Sequence, residues 1–224
     1  MIKEIIDKLV ALLAVSALLA SCSESELWQN PQTEARDGYI MLNFKTEIPA
    51  MQEVVTRAVD PDGGGVQDMT LFCFDSYGLF ISTVKAGVTV QKPGPGEMEG
   101  TFKAEVPENT RTIHFLANQN MDEFKEDSFR NKSESEVMAV LEGSSGRMIY
   151  WGRFACDAGN DSNIAEQMAT SGNSVKLIRN HARISVDNPD NNGHIVITGF
   201  AVCNTNAFGT VAPHHPKKGF DFTW

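Results

Sequence analysis

The chain is assembled from short apolar runs of strand length, each cut off by a cluster of Gly, Pro, Asn, Asp or Ser. That pattern narrows its fold more than any other feature. Residues 38–46 (GYIMLNFKT) alternate, with Ile40, Leu42 and Phe44 forming a cleanly apolar face opposite Tyr39, Met41 and Asn43. Successive side chains of a strand point to opposite faces, so this run is a half-buried strand. Residues 66–75 (VQDMTLFCFD) become apolar on both faces towards their end. Asp75-Ser76-Tyr77-Gly78 then reads as a turn, with Gly78 free to take positive φ, and residues 79–84 (LFISTV) return as the second arm of a hairpin. Phe102, Ala104 and Val106 align in residues 99–106, and Ile113, Phe115 and Ala117 align in residues 111–117. Residues 147–154, 175–186 and 194–203 read as further strands.

Residues 133–141 (SESEVMAVL) carry the one clear helix signal. Ser133 and Glu136 have capping-box spacing, Val137, Val140 and Leu141 fall on one face, and Gly143 stops the run. The stretch between residues 154 and 175 is rich in Asn, Asp and Ser and reads as a polar loop. Residues 48–65 lose periodicity and end in the loop Asp60-Pro61-Asp62-Gly63-Gly64-Gly65. The sum is about eight short strands and one short helix, which predicts an all-β chain folded as an antiparallel β-sandwich. No βαβ alternation is present, which argues against a doubly wound nucleotide-binding fold, and no repeat of fixed period occurs.

The charge and motif content exclude several functions. Nineteen Lys and Arg stand against 29 Asp and Glu, a net charge of -10, which argues against nucleic acid as a partner. Gly63-Gly64-Gly65 lacks the Lys-Ser/Thr of a phosphate loop, and no G-x-S-x-G elbow occurs. Asp60-Pro61-Asp62-Gly63 lacks the later ligands of a calcium loop and reads as a turn. The histidines, His114, His181, His194, His214 and His215, compose no catalytic constellation, and His214-His215 between two prolines reads as a solvated loop. The expectation is a non-enzyme with no metal and no cofactor. Trp151-Gly152-Arg153 could present an aromatic ring and a cation to a glycan or peptide ligand; the alternative is a core Trp beside a surface Arg. Of the four cysteines, Cys73 and Cys203 sit in apolar runs and read as buried free thiols, which leaves the pairing of Cys156 open.

The N-terminus has the anatomy of a targeting signal. Residues 9–21 (LVALLAVSALLAS) carry no charge and are too short to span a bilayer of about 30 Å, but suit a signal-peptide core. Leu19-Ala20-Ser21-Cys22 resembles a bacterial lipobox, which implies cleavage before Cys22 and its lipidation, with palmitate-class chains anchoring the protein. Ser23-Glu24-Ser25-Glu26 resembles the surface-export signal of Bacteroidetes lipoproteins, and equally suits a solvated tether.

Several runs together resemble the fimbrillin superfamily of Bacteroidetes, the type V pilus subunits and their minor or tip accessory proteins. These are the hairpin in residues 70–80 (TLFCFDSYGLF), His114-Phe115-Leu116-Ala117-Asn118, residues 177–186 (LIRNHARISV), and residues 198–213. The resemblance implies a transthyretin-like sandwich, carried to the outer membrane as a lipoprotein. It also implies an Arg-specific protease that strips the first strand, and other pilus subunits that refill the groove by strand addition. Arg57, in the aperiodic segment after the strand at 38–46, is the matching processing site; Arg36 is the alternative, but a cut there leaves the strand in place. The division expected is a signal peptide at 1–21, a polar tether at 22–37, one fimbrillin-like domain at 38–212, and at 213–224 the start of a truncated or missing second domain. The function implied is a structural, tip or accessory fimbrial subunit with a role in adhesion. The competing expectation is a non-polymerising surface lipoprotein that binds glycan or another ligand.

Overall fold

The computed structural model describes residues 35–48, 66–93, 98–144, 148–180, 199, 201 and 208–223. Two sheets face each other. One runs in the order β4 (Gly87–Pro93), β5 (Met98–Pro107), β1 (Tyr39–Glu47) and β9 (Ser174–Lys176). The other runs in the order β10 (Ile178–Arg179), β8 (Tyr150–Ala155), β6 (Thr112–Ala117), β2 (Met69–Phe74) and β3 (Phe80–Lys85). The chain is all-β in class, and its sheets form the expected sandwich.

The alternation read from the sequence sets the core between the sheets. Ile40, Leu42 and Phe44 of β1 and Phe102, Ala104 and Val106 of β5 meet Leu71 and Cys73 of β2 and Ile113, Phe115 and Ala117 of β6. Cys73 is a free thiol with no exposure, as its apolar run predicts. The β2–β3 hairpin turns where expected, with Gly78 at φ +72° and the Asp75 carboxylate accepting from the Tyr77 and Leu79 amides.

The pairing is antiparallel except at β9, which runs parallel to β1 over Lys45–Glu47. The cause is a second helix. The expected loop at 155–174 contains α2 (Ile164–Thr170), started by a capping box between Asn163 and Glu166. Its apolar side chains Ile164, Ala165 and Met168 are buried against the core. Gly172 and Asn173, at φ +78° and +54°, turn the chain back beside β1. Buried Leu177 then carries it from one sheet to the other, so the single long strand expected at 175–186 begins as two short ones.

The five-stranded sheet is covered on both faces. All six residues of β2 are buried, because Phe72 and Phe74 face a second core on the side away from Leu71 and Cys73. That core is roofed by α1 (Glu134–Val140), by the 3₁₀ turns Met121–Glu123 and Glu126–Phe129, and by residues 208–223. The capping box of α1 forms between Ser133 and Glu136 as predicted. Its buried face is Val137, Met138 and Leu141, whereas Val140 is exposed. Strands β7 (Glu142–Ser144) and β11 (Phe208–Thr210) pair beside it, and β12 (His214–His215) pairs with β13 (Gly219–Phe220). The described part of the expected second-domain start thus packs on this sheet through Phe220 and Phe222, next to buried Val211 and Ala212.

Candidate assembly site

The first strand has an unsymmetrical place in its sheet. On one side β1 pairs with β5 from Tyr39 to Thr46. On the other, among the described residues, its last three residues are paired, to β9. The Lys45 amide donates to the Asn173 carbonyl, and the Leu177 amide donates to the Glu47 carbonyl. Backbone groups two residues apart point the same way, so those of Met41 and Asn43 face this same side. Among the described residues no strand lies beside them there.

Its side chains are seated deeply nonetheless. Phe44 has no exposure, lies stacked over Phe102 at 5.6 Å, and meets Phe115 edge-on at 4.9 Å. Leu42 is likewise fully buried, and Ile40 is close to it. Taking β1 away opens an apolar trench floored by Phe102 and Phe115 and leaves backbone groups of β5 unpaired.

Arg36 marks the entrance to this strand. Its Nε lies 2.7 Å from Glu105 Oε2, its backbone amide donates to the other carboxylate oxygen, and its guanidinium sits 4.3 Å above the Tyr39 ring. The Arg36 amide first of all, and then its side chain, hold the Glu105 carboxyl below its usual range. A cut after Arg36 falls before β1 and leaves the strand in the sheet. Arg57 and Cys22 lie outside the described residues, as do His181, His194 and Cys203.

Trp151 and Arg153, the candidate ligand contacts, sit on the outer face of β8, under the second core's roof. Trp151 is 2% exposed, and its indole N–H donates to His114 Nδ1 at 3.1 Å. Arg153 grips the Glu134 carboxylate through Nε at 2.7 Å and Nη2 at 3.2 Å. His114 Nε2 meets the same carboxylate at 2.8 Å. Burial alone raises the Glu134 carboxyl, but the hydrogen bonds from His114 and Arg153 outweigh it and bring it down to about 2. Phe222 closes the cluster, edge-on to His114 at 4.9 Å and beneath the Arg153 guanidinium at 5.5 Å. His114 and Glu134 were visible in sequence only as a strand histidine and a helix-start acid. Nothing in their spacing links residues from β6, α1 and β8.

The described residues hold no group of three His, Cys, Asp or Glu side chains placed to share a metal ion. None of the described helices is long and apolar enough to cross a membrane. No family model matches the chain, and no curated protein matches it. Solved structures similar to it include the following two. One is a fimbrial assembly protein from Parabacteroides distasonis, with 11% identity and a TM-score of 0.35, over 63% of this chain and 54% of that one. The other is a candidate cell adhesion protein from Bacteroides eggerthii, with 10% identity and a TM-score of 0.32, over 62% of this chain and 39% of that one. This chain therefore spans about half or less of the length of the neighbours it resembles.

Proposed function

We propose that this protein is a structural, tip or accessory subunit of a cell-surface fimbrium and acts in adhesion, without catalysis. In this reading it is exported as a lipoprotein anchored at Cys22 to the outer membrane. An Arg-specific protease cuts after Arg57, and the protein joins other pilus subunits by strand addition. The observation that carries the reading is the seating of β1. It precedes the other described strands, is paired along its length on one side only among the described residues, and buries Ile40, Leu42 and Phe44. A cut in residues 49–65 severs it from the rest of the chain. Its departure leaves a trench that another strand of the same alternation refills, restoring both hydrogen bonds and apolar burial. The two structural neighbours, one named for fimbrial assembly and one for adhesion, are of the same class but too distant to carry the reading.

N-terminal sequencing of protein from the native cell surface tests it. The expected mature terminus is Ala58, in material that migrates as an SDS-resistant ladder. A mature protein that keeps β1 and stays monomeric refutes assembly by strand addition, and supports a non-polymerising surface lipoprotein instead.

A further inference from the structure

His114 occupies a site built for a neutral ring. It has no exposure. An indole nitrogen can only donate, so His114 Nδ1 must accept from Trp151, and the ring's single proton must sit on Nε2, where it donates to Glu134. Both ring nitrogens are then satisfied. A second proton could go only to Nδ1, where it would meet the Trp151 N–H instead of an acceptor. Glu134 offers limited compensation, because Arg153 already claims both of its oxygens. The other groups packed on the ring, Phe74 from β2 and Phe222 from the 208–223 segment, are uncharged. In that segment Asp221, next to Phe222 in sequence, is bonded to Thr223, and His214 packs on Phe220; the capping Glu136 of α1 is bonded to Ser133. Burial pushes the imidazole below its ordinary range; Glu134 opposes this in part and Arg153 adds to it.

The elements around the ring differ in how firmly they are held. β2, β6 and β8 are internal strands of the five-stranded sheet. The 208–223 arm is tied down by strands of two and three residues, by Val211 and Ala212, and by Phe222 itself. Local opening follows the weakest attachment.

We propose that His114 is an acid-sensitive latch: its neutral ring holds the 208–223 arm closed through Phe222, and protonation of Nδ1 releases the arm and bares the aromatic outer face of the sheet. The sign follows from the neutral preference. A histidine disfavoured in its charged form gives its full stabilisation above its ordinary pKa of about 6.5, and loses it as pH falls below that value. The closed-to-open ratio drops by about tenfold per pH unit until the closed form itself takes the proton. The latch is independent of the assembly reading, since no part of β1 takes part in it.

Hydrogen–deuterium exchange on the full chain, corrected for intrinsic rates, tests the proposal at about pH 7 and about pH 5. Protection of peptides from 208–223 should fall about ten- to thirtyfold on acidification, while β2 and β6 keep theirs. His114→Gln and His114→Asn cannot titrate, and should make arm protection independent of pH. Unchanged arm protection in the wild type, or an acid loss that survives in both variants, overturns the proposal. Should neither variant fold, NMR titration of the wild-type imidazole decides: a closed-state pKa below the ordinary histidine value supports the latch, and an ordinary one refutes it.

Discussion

Replacing Phe44 by Ala tests whether β1 is a true core strand of the sandwich. The ring is fully buried between Phe102 and Phe115. Deleting it removes apolar burial and leaves a cavity that rigid neighbouring strands cannot close, at a cost of about 3–5 kcal/mol. The two lost ring pairings are part of that figure. Total stability of a domain is about 5–15 kcal/mol, so a single side chain on this strand holds a large share. At about 2–4 °C per kcal/mol for a chain of this size, the melting midpoint should fall by about 6–20 °C. Asn43→Ala is the control: the neighbouring residue lies on the opposite face, is partly exposed, and should cost no more than about 0.5 kcal/mol, about 1–2 °C in the midpoint. Thermal denaturation followed by circular dichroism reads both. A Phe44→Ala midpoint within about 2 °C of the Asn43→Ala one would refute the two-faced seating of β1. With it would go the claim that losing the strand opens an apolar trench.

Other predictions rest on single contacts. Trp151→Phe removes the indole donor to His114 Nδ1, and should cost about 1–3 kcal/mol in urea unfolding. Ser133→Ala breaks the capping box of α1 and should cost about 0.5–2 kcal/mol, measured the same way. Glu134 has a folded-state pKa lowered from 4.5 to about 2, so its stabilisation is complete above 4.5 and is lost as pH falls through about 2. Glu134→Gln should show a shallower decline of stability over that window in acid titration. Burial pushes the Cys73 thiol up to about 12 and also raises the partly exposed Cys156, so thiol labelling of the native protein, mapped by mass spectrometry, should reach accessible Cys156 before Cys73.

Much of the inner core is legible in the sequence. Period-two alternation in residues 38–46, 99–106 and 111–117 names the side chains that meet between the sheets, because a strand with one wet face must segregate its residues this way. The capping boxes show how far local signals reach. Ser133 and Glu136 stood out beside an apolar run. Asn163 and Glu166 have the same spacing, but were hidden among Asn, Asp and Ser typical of loops. A helix of seven residues draws its stability from packing Ile164 and Met168, which propensity alone does not register.

By itself the sequence determined the class of fold, the inward faces of the main strands, the β2–β3 turn and the start of α1. All of these depend on residues within one turn or one strand of each other. The parallel seating of β9, the roof over the five-stranded sheet and the cluster of His114, Glu134, Trp151, Arg153 and Phe222 were decided by the tertiary structure. They join residues more than 100 positions apart, such as Lys45 with Ser174 and His114 with Phe222, and no local pattern encodes which distant surfaces will exclude water together.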